Sequence, residues 1–316
     1  MVDLMAQRDA FGAALVDLGG RDDRICVLDA DLGSSSKANL FQEACPERFF
    51  QVGIAEQNMA GIAAGLATMG FIPFINTFAA FASTRIIDQV RTSVAQPAYQ
   101  VKIAGAYAGL LAGKTGKTHL SVIDLAIMRS MPNMTVLAPA DAVEAGKAVL
   151  AAAAHPGPVF LRLTRDPSPL VFGEDYEFVV GRAVPVLEGT DVTLMTTGSM
   201  LPRAVEAAAG LAEEGVDAAI LHLPTVKPLD EDAVAAAAER TGRVVTAEEH
   251  SVIGGLGGAV AETLAEMRPT PMRRVGVDDL WGESAPNDDL LAKYGVDAAH
   301  LAAAARELIA AYPRRT

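Results

Sequence analysis

The sequence contains little cysteine and fewer basic than acidic residues. Two cysteines in 316 residues, Cys26 and Cys45, are too few for a disulfide framework. The formal net charge of −13 leaves no broad basic surface, so we expect neither nucleic acid nor an anionic membrane as a partner. The opening residues also lack the basic-then-apolar pattern of a secretion signal. These absences predict a cytoplasmic protein in which any bound phosphate is held by a local site.

Charge is also absent from one long stretch, residues 57–84. A membrane span needs about 20 predominantly apolar residues, so length alone would allow one here. The stretch is interrupted, however, by residues that suit turns and polar contacts, namely Gly61, Gly65, Gly70, Pro73 and Asn76. This composition predicts a buried helix, a turn and a strand, and not a membrane span.

Short apolar segments rich in β-branched residues alternate with alanine-rich helical segments. In the first half the predicted strands lie within residues 24–31, 70–77, 99–105, 134–140 and 158–164. In the second half they lie within residues 191–199, 216–223, 242–250 and 274–280. The alternation predicts an α/β fold with mostly parallel sheets and ligands at the carboxyl ends of the strands. A helix is predicted at residues 141–154, with Asp141 as its N-cap.

The alternation lapses between Asp166 and Gly189, where proline, glycine and acidic residues replace the helical period. We therefore expect two doubly wound domains. The first covers residues 1–167, the segment 168–189 is a linker, and a smaller domain covers residues 190–316.

Glu56 stands at the head of the uncharged stretch, among apolar neighbours. Phe78 and Phe81 follow, and their spacing can present two rings on one face. An acid beside an aromatic platform suits a flat heteroaromatic cofactor, because the acid can bond a ring nitrogen while the ring stacks. Two alternatives remain open from these residues: the rings pack in the core, and the acid interacts with free amides at a helix N-terminus.

Residues 52–81, VGIAEQNMAGIAAGLATMGFIPFINTFAAF, resemble the pyrimidine-binding domain of thiamine-diphosphate enzymes of the transketolase family. The resemblance extends to DADLGSS (29–35), THLSVIDLAIMRSMPNMTVLAPAD (118–141) and EEHSVIGGLGGAVAE (248–262). It implies transfer of a two-carbon ketol unit from a ketose to an aldose with thiamine diphosphate. It also implies that Glu56 activates the aminopyrimidine ring of the cofactor. The other residues that it places around the cofactor are Phe78, Phe81, Asp31 and Ile54.

The resemblance assigns substrate residues as well. Arg8, Ser35 and Arg165 fall at positions that hold the phosphate of a sugar phosphate in transketolases, and a guanidinium recognises phosphate bidentately. His119 falls on a histidine that contacts the substrate during catalysis. Lys114 and Lys117 add positive charge near it, and we expect them to contact the substrate.

The loop at residues 104–119 departs from the family pattern. It is about two residues longer than in ordinary members, and Thr115 stands where those members have an aspartate. Further upstream, only Gly105, Ala106 and Tyr107 are available where ordinary members have another histidine. The loop therefore predicts a specialised substrate.

The sequence also lacks the G-D-G motif. In full-length thiamine-diphosphate enzymes that motif belongs to another domain, which binds Mg²⁺ and the diphosphate. We therefore expect no metal ligand in this chain, and a split transketolase in which a separate N-terminal subunit brings Mg²⁺ and the diphosphate in an α2β2 assembly. The alternatives are the β subunit of a 2-oxo-acid dehydrogenase decarboxylase and a non-catalytic, stabilising or regulatory partner of a related enzyme.

Overall fold

A computed structural model describes residues 3–313 of the chain. Within them lie 14 β-strands. They are β1 (Leu4–Met5), β2 (Ile25–Asp29), β3 (Phe49–Gln51), β4 (Ile72–Phe78), β5 (Lys102–Ala106), β6 (Thr135–Leu137), β7 (Val159–Arg162), β8 (Ser168–Pro169), β9 (Val184–Leu187), β10 (Val192–Thr196), β11 (Ala218–His222), β12 (Thr225–Lys227), β13 (Val244–Ser251) and β14 (Met272–Val277).

The same residues form 13 α-helices. They are α1 (Gln7–Arg21), α2 (Gly33–Ser36), α3 (Asn39–Ala44), α4 (Glu56–Thr68), α5 (Ala79–Ala82), α6 (Ile87–Gln89), α7 (Asp124–Arg129), α8 (Ala142–Ala154), α9 (Met200–Glu213), α10 (Glu231–Thr241), α11 (Leu256–Met267), α12 (Asn287–Lys293) and α13 (Ala298–Ala311). Short 3₁₀ turns occupy Pro46–Arg48 and Gly113–Thr115, and a π-helical turn occupies Val90–Ala95.

The first half of the chain builds a seven-stranded sheet in the order β12-β6-β7-β5-β4-β2-β3. Strands β2 to β7 are parallel to one another in this sheet, as the sequence predicts. The edge strand β12 runs antiparallel to β6 and comes from the second half of the chain. The two halves therefore share one sheet, which the sequence analysis did not anticipate.

The second half builds a five-stranded sheet in the order β14-β13-β10-β11-β9. Its strands are parallel except for β9, which pairs antiparallel with β11. Strand β9 lies inside segment 168–189, so part of the predicted linker pairs with the second sheet. The domain boundaries themselves stay a prediction.

The uncharged stretch forms helix α4, a turn and strand β4, as predicted. Met59, Ala60 and Ala63 of α4 are fully buried, so one face of this helix packs on the core. Within residues 3–313, no helix is both long enough and apolar enough to cross a membrane. The predicted N-cap is also confirmed, because the Asp141 carboxylate accepts a hydrogen bond from the backbone N–H of Glu144 at the start of α8.

The two halves of the chain pack tightly against each other. Leu110 and Leu111 of the first half share an apolar core with Leu194, Val277 and Leu290 of the second. Because this core includes part of the loop at residues 104–119, the second half of the chain contributes to the position of that loop.

Candidate active site

Most of the predicted site residues lie at one edge of the seven-stranded sheet. Asp31 follows β2, Glu56 follows β3, Phe78 ends β4, and Arg165 follows β7. Tyr107 directly follows β5 between them. Because these strands are parallel, their carboxyl ends meet at the same edge, where α/β folds bind ligands. The topology thus brings together residues that are far apart in sequence.

Glu56 begins helix α4, and only 5% of its side chain is exposed. Its carboxylate accepts a hydrogen bond of 2.7 Å from the guanidinium of Arg85. The same guanidinium lies over the ring of Phe81, with its carbon 3.8 Å from the ring centroid. Sequence reasoning missed Arg85, although its place as the first charge after the uncharged stretch was an available signal.

Aromatic rings extend from Phe81 into the fold. The ring centroids of Phe81 and Phe78 are 5.9 Å apart, and the Phe78 ring stacks on Tyr107 at 4.1 Å. His119 meets Phe78 and Phe81 edge-on, at 5.8 and 5.4 Å. Its Nδ1 atom lies 2.8 Å from the Thr118 hydroxyl, which fixes the ring orientation. The structure therefore places His119 beside the two predicted platform rings.

A second cluster forms where the row of rings ends at Tyr107. Arg8 donates hydrogen bonds to the Ser35 carbonyl at 3.0 Å and to the Tyr107 hydroxyl at 3.3 Å. The guanidinium carbon of Arg165 lies 5.3 Å from the centroid of the Tyr107 ring. Ser35 thus joins these contacts through its backbone carbonyl. The structure brings together the three residues predicted to bind an anion, with Tyr107 between them.

Two guanidinium groups give this cluster positive charge, and the Asp166 carboxylate pairs with one of them, that of Arg165. The hydrogen bond to Tyr107 and the nearby Asp166 carboxylate raise the pKa of the Arg165 guanidinium, which stays charged. The Nε atoms of Arg8 and Arg165 are buried and have no hydrogen-bond partner among residues 3–313. Unpaired buried donors of this kind are satisfied by a ligand or by water.

Asp31 and Ile54 lie at the rim of the site. The side-chain carbonyl of Gln51 accepts hydrogen bonds of 3.0 Å from the backbone N–H groups of Asp31 and Gly53, so the two rim loops are adjacent. Asp31 has a positive φ of 65° and an exposed side chain, and Ile54 is 75% exposed. Both side chains are therefore accessible to a ligand or to another chain.

The second half of the chain holds the loop at residues 104–119 in place. The Asn287 side chain accepts a hydrogen bond of 3.0 Å from the Gly113 N–H and donates one of 2.8 Å to Asp166. The Glu249 carboxylate accepts a hydrogen bond of 3.3 Å from the Leu110 N–H. Asn287 therefore links the loop to the segment that carries Arg165.

The two lysines of this loop have different surroundings. Lys117 lines a cavity of about 280 Å³ together with Phe81, Arg85 and Trp281 of the second half. Lys114 is exposed, and its backbone carbonyl accepts a hydrogen bond of 3.4 Å from Ser284. Of the two predicted lysines, Lys117 is thus the one that lies beside the aromatic platform.

The residues around Glu56 fit the aminopyrimidine ring of thiamine diphosphate. A flat, delocalised group with N–H donors already lies there, because the Arg85 guanidinium covers Phe81 and bonds Glu56. A heteroaromatic ring needs the same two contacts. For a metal, no group of three or more His, Cys, Asp or Glu side chains able to hold an ion occurs within residues 3–313.

Two family patterns match the chain. The pattern described as the transketolase pyrimidine binding domain covers residues 3–169, and that of the transketolase C-terminal domain covers residues 181–301. Together they span both sheets and both clusters described above.

Individual proteins match over nearly the whole chain. The 6-deoxy-6-sulfo-D-fructose transketolase subunit SqwH of Clostridium sp. (strain MSTE9) is 47% identical, over 95% of this chain and 94% of its own length. A solved structure described as a split gene transketolase, inactive beta4 tetramer, is also 47% identical, with a TM-score of 0.90 over 97% of this chain and 98% of that one. Human transketolase is 36% identical over 97% of this chain, which corresponds to 49% of the human protein.

Proposed function

The chain belongs to the transketolase family, and from this premise we propose that it is one subunit of a two-component, thiamine-diphosphate-dependent transketolase. The observation that carries the proposal is the buried Glu56 carboxylate beside the covered face of Phe81. The chain spans about half of human transketolase, which supports a second polypeptide for the remaining half.

In the proposed reaction Glu56, Phe78 and Phe81 each have a distinct role. Thiamine diphosphate, when bound, supplies the electron sink that allows a carbon–carbon bond beside a carbonyl to break. Glu56 accepts a hydrogen bond from the pyrimidine ring and favours the tautomer that can remove a proton. Phe81 stacks on that ring, and Phe78 supports Phe81 from the strand end. We assign Mg²⁺ and the diphosphate to the partner subunit.

The second cluster defines the proposed substrate class. Arg8 and Arg165 both contact Tyr107 and present guanidinium donors there, which suits binding of a tetrahedral oxyanion. We propose that the donor is a ketose with a phosphate or sulfonate at its far end, and the name of the SqwH relative is in line with a sulfonate. His119 contacts the rings of Phe78 and Phe81, and from there we propose that it bonds the substrate hydroxyls.

The proposed partner docks over helix α4. Gly61, Ile62 and Gly65 are exposed on its outer face and carry no charge, and Ile54 is exposed just before it. An uncharged apolar surface around a half-built site is typical of an interface. We propose an α2β2 assembly in which the active site lies between chains. A cytoplasmic location stays a prediction from composition.

The test is reconstitution. The chain is co-expressed with a candidate diphosphate-domain subunit, and ketol transfer is assayed with phosphate and sulfonate donors, with and without thiamine diphosphate and Mg²⁺. We expect turnover only from the assembled pair with both additions. Turnover by this chain alone would refute the split assembly, and decarboxylation of a 2-oxo acid without ketol transfer would identify a decarboxylase subunit instead.

Glu56→Gln tests the catalytic assignment. We expect the fold to persist and turnover to fall by at least about 100-fold, because the amide cannot act as a proton-accepting carboxylate. Glu43→Gln, on an exposed helix face, is the matched control and leaves turnover unchanged. Normal activity of the assembled Glu56→Ala variant would instead support a non-catalytic, stabilising or regulatory role for this chain.

A further inference from the structure

Arg85 makes two contacts that neither the sequence analysis nor the proposed reaction assigns to it. Its guanidinium donates to Glu56 at 2.7 Å and covers the Phe81 ring at 3.8 Å. These are the two groups that the proposed function gives to the pyrimidine ring. A guanidinium shares with an aminopyrimidine its flatness, its delocalised electrons and its in-plane N–H donors. Arg85 is therefore a chemical mimic of the cofactor ring, supplied by the chain itself.

The position of Arg85 also divides the cleft. A cavity of about 540 Å³ on one side is lined by Ile54, Glu56, Gln57 and Arg85. A cavity of about 280 Å³ on the other side is lined by Phe81, Lys117, Trp281 and again Arg85. The Arg85 side chain thus lies between the Glu56 carboxylate and the part of the Phe81 ring that faces the smaller cavity.

We propose that Arg85 is a place-holder in the cofactor site, which the pyrimidine ring displaces when it binds. The inference rests on the proposed function, since it assumes that thiamine diphosphate is the ligand. A ring cannot both donate a hydrogen bond to Glu56 and stack on Phe81 while the guanidinium of Arg85 makes these two contacts. Arg85 is 45% exposed, so its side chain has an open path into solvent when it leaves.

This exchange has consequences before and during assembly. In the chain without its partner, the guanidinium neutralises a buried carboxylate and covers an aromatic face that water would otherwise contact. When the cofactor binds, the contacts of Arg85 with Glu56 and Phe81 must be broken. The free energy needed to break them lowers the net affinity for the cofactor. With Arg85 in place, cofactor binding therefore becomes favourable only when the partner adds its own contacts to the diphosphate.

The experiment compares Arg85→Ala, Arg85→Lys and Arg91→Ala in the assembled enzyme. Arg91 is a nearby exposed arginine paired with Asp88, and it serves as the control. Calorimetric titration with thiamine diphosphate in excess Mg²⁺ gives Kd without any turnover. We expect Arg85→Ala to lower Kd about tenfold, the loss of one charge-assisted contact, with Arg85→Lys intermediate and Arg91→Ala unchanged. An equal or higher Kd for Arg85→Ala would overturn the inference.

A second binding measurement distinguishes displacement of Arg85 by the cofactor from a general effect of the substitution on the fold. Millimolar guanidinium chloride should compete with thiamine diphosphate in Arg85→Ala and restore a Kd near that of the wild type, whereas sodium chloride should not. No such competition in the variant would also overturn the inference. The proposed function is checked separately, since it fails if the wild-type assembly binds no thiamine diphosphate at all, and it stands if only the Arg85 variants behave contrary to expectation.

Discussion

Lys102 shows at the residue scale how burial changes the chemistry of a side chain. It lies in the central strand β5 and is fully buried, and its Nζ atom donates hydrogen bonds of 2.7 Å to the carbonyls of His155 and Gly157. Desolvation lowers the pKa of Lys102 from 10.5 to about 7. Between these pH values the unfolded chain binds one more proton than the folded chain, so raising the pH favours the folded state.

We therefore predict that Lys102 adds a positive slope to the free energy of unfolding between about pH 7 and pH 10.5. The slope is at most about 1.4 kcal/mol per pH unit. Lys102→Met should remove it. Lys147→Met, at a half-buried lysine that donates to the Glu174 carbonyl, should not. The measurement is urea unfolding across this pH range, with each variant compared with the wild type. Parallel curves for Lys102→Met and the wild type would contradict the prediction.

Several residues of the site were predictable because local sequence carries their signal. Glu56 heads a charge-free stretch, and Phe78 and Phe81 have a helical spacing. The contacts of Arg85 and Tyr107 were not predictable in the same way, because they depend on partners distant in sequence, although Arg85 is marked as the first charge after the uncharged stretch. Arg85 bonds Glu56 across 29 residues, and Tyr107 meets Arg8 across 99 residues. Only the packing of the folded chain creates these contacts.

At the scale of elements, the loop at residues 104–119 depends on one close approach. Gly109 has a φ of +70°, and a Cβ atom there would lie 2.5 Å from the Glu249 carboxyl carbon. We predict that Gly109→Ala destabilises the protein by at least about 1–2 kcal/mol, from backbone strain alone. It should also raise KM for an anionic donor, because the same loop carries Tyr107.

The control for this prediction is Gly20→Ala. Gly20 lies in helix α1, and a Cβ atom there would meet nothing within 4 Å. This substitution should be neutral or stabilise by up to about 1 kcal/mol, since alanine favours a helix. Thermal unfolding and the KM for the donor are the two readouts. If Gly109→Ala were as stable as Gly20→Ala, the loop would accommodate the Cβ atom without loss of stability, and the prediction would be wrong.

The outer face of helix α4 yields a prediction about assembly. Ile62→Asp places a charge on the uncharged surface where we propose that the partner docks. We expect co-purification with the partner to be lost while the unfolding temperature of the isolated chain changes little, because Ile62 is 37% exposed. Ile253→Asp, on an apolar side chain that is 59% exposed in the second half, is the control. Assembly that survives Ile62→Asp would place the interface elsewhere.

The longer elements follow from the sequence because each contains enough residues to show a period. All nine strands predicted from apolar segments are present, and α8 begins at its predicted cap. The five strands that were missed are short: β1 and β8 have 2 residues each, β3 and β12 have 3, and β9 has 4. Such segments have no periodicity of their own, and they become strands only because another strand is available to pair with them.

For the whole molecule, the decisive feature is the junction between the two halves of the chain. Strand β12 completes the first sheet from the second half, and Arg162 at the end of β7 reaches back toward the second half. Its guanidinium bonds Asp124 at 2.9 Å and Glu249 at 3.3 Å. The exposed fractions of these three side chains are 2%, 0% and 1%, so neither carboxylate has water to compensate its charge if the arginine is removed.

We predict that the wild-type chain unfolds in one cooperative transition. Arg162→Met should lower the free energy of unfolding by about 3–5 kcal/mol, because it leaves two buried carboxylates unpaired. Arg129 is the control, since it also crosses between the halves, to Glu262, but that carboxylate is 64% exposed. Arg129→Met should therefore cost no more than about 1 kcal/mol. Calorimetry of the wild type, Arg162→Met and Arg129→Met measures the number of transitions and the free energies of unfolding. If Arg162→Met cost no more than Arg129→Met, the buried charges would not be what holds the two halves together, and the shared sheet and apolar core alone would have to explain a single transition.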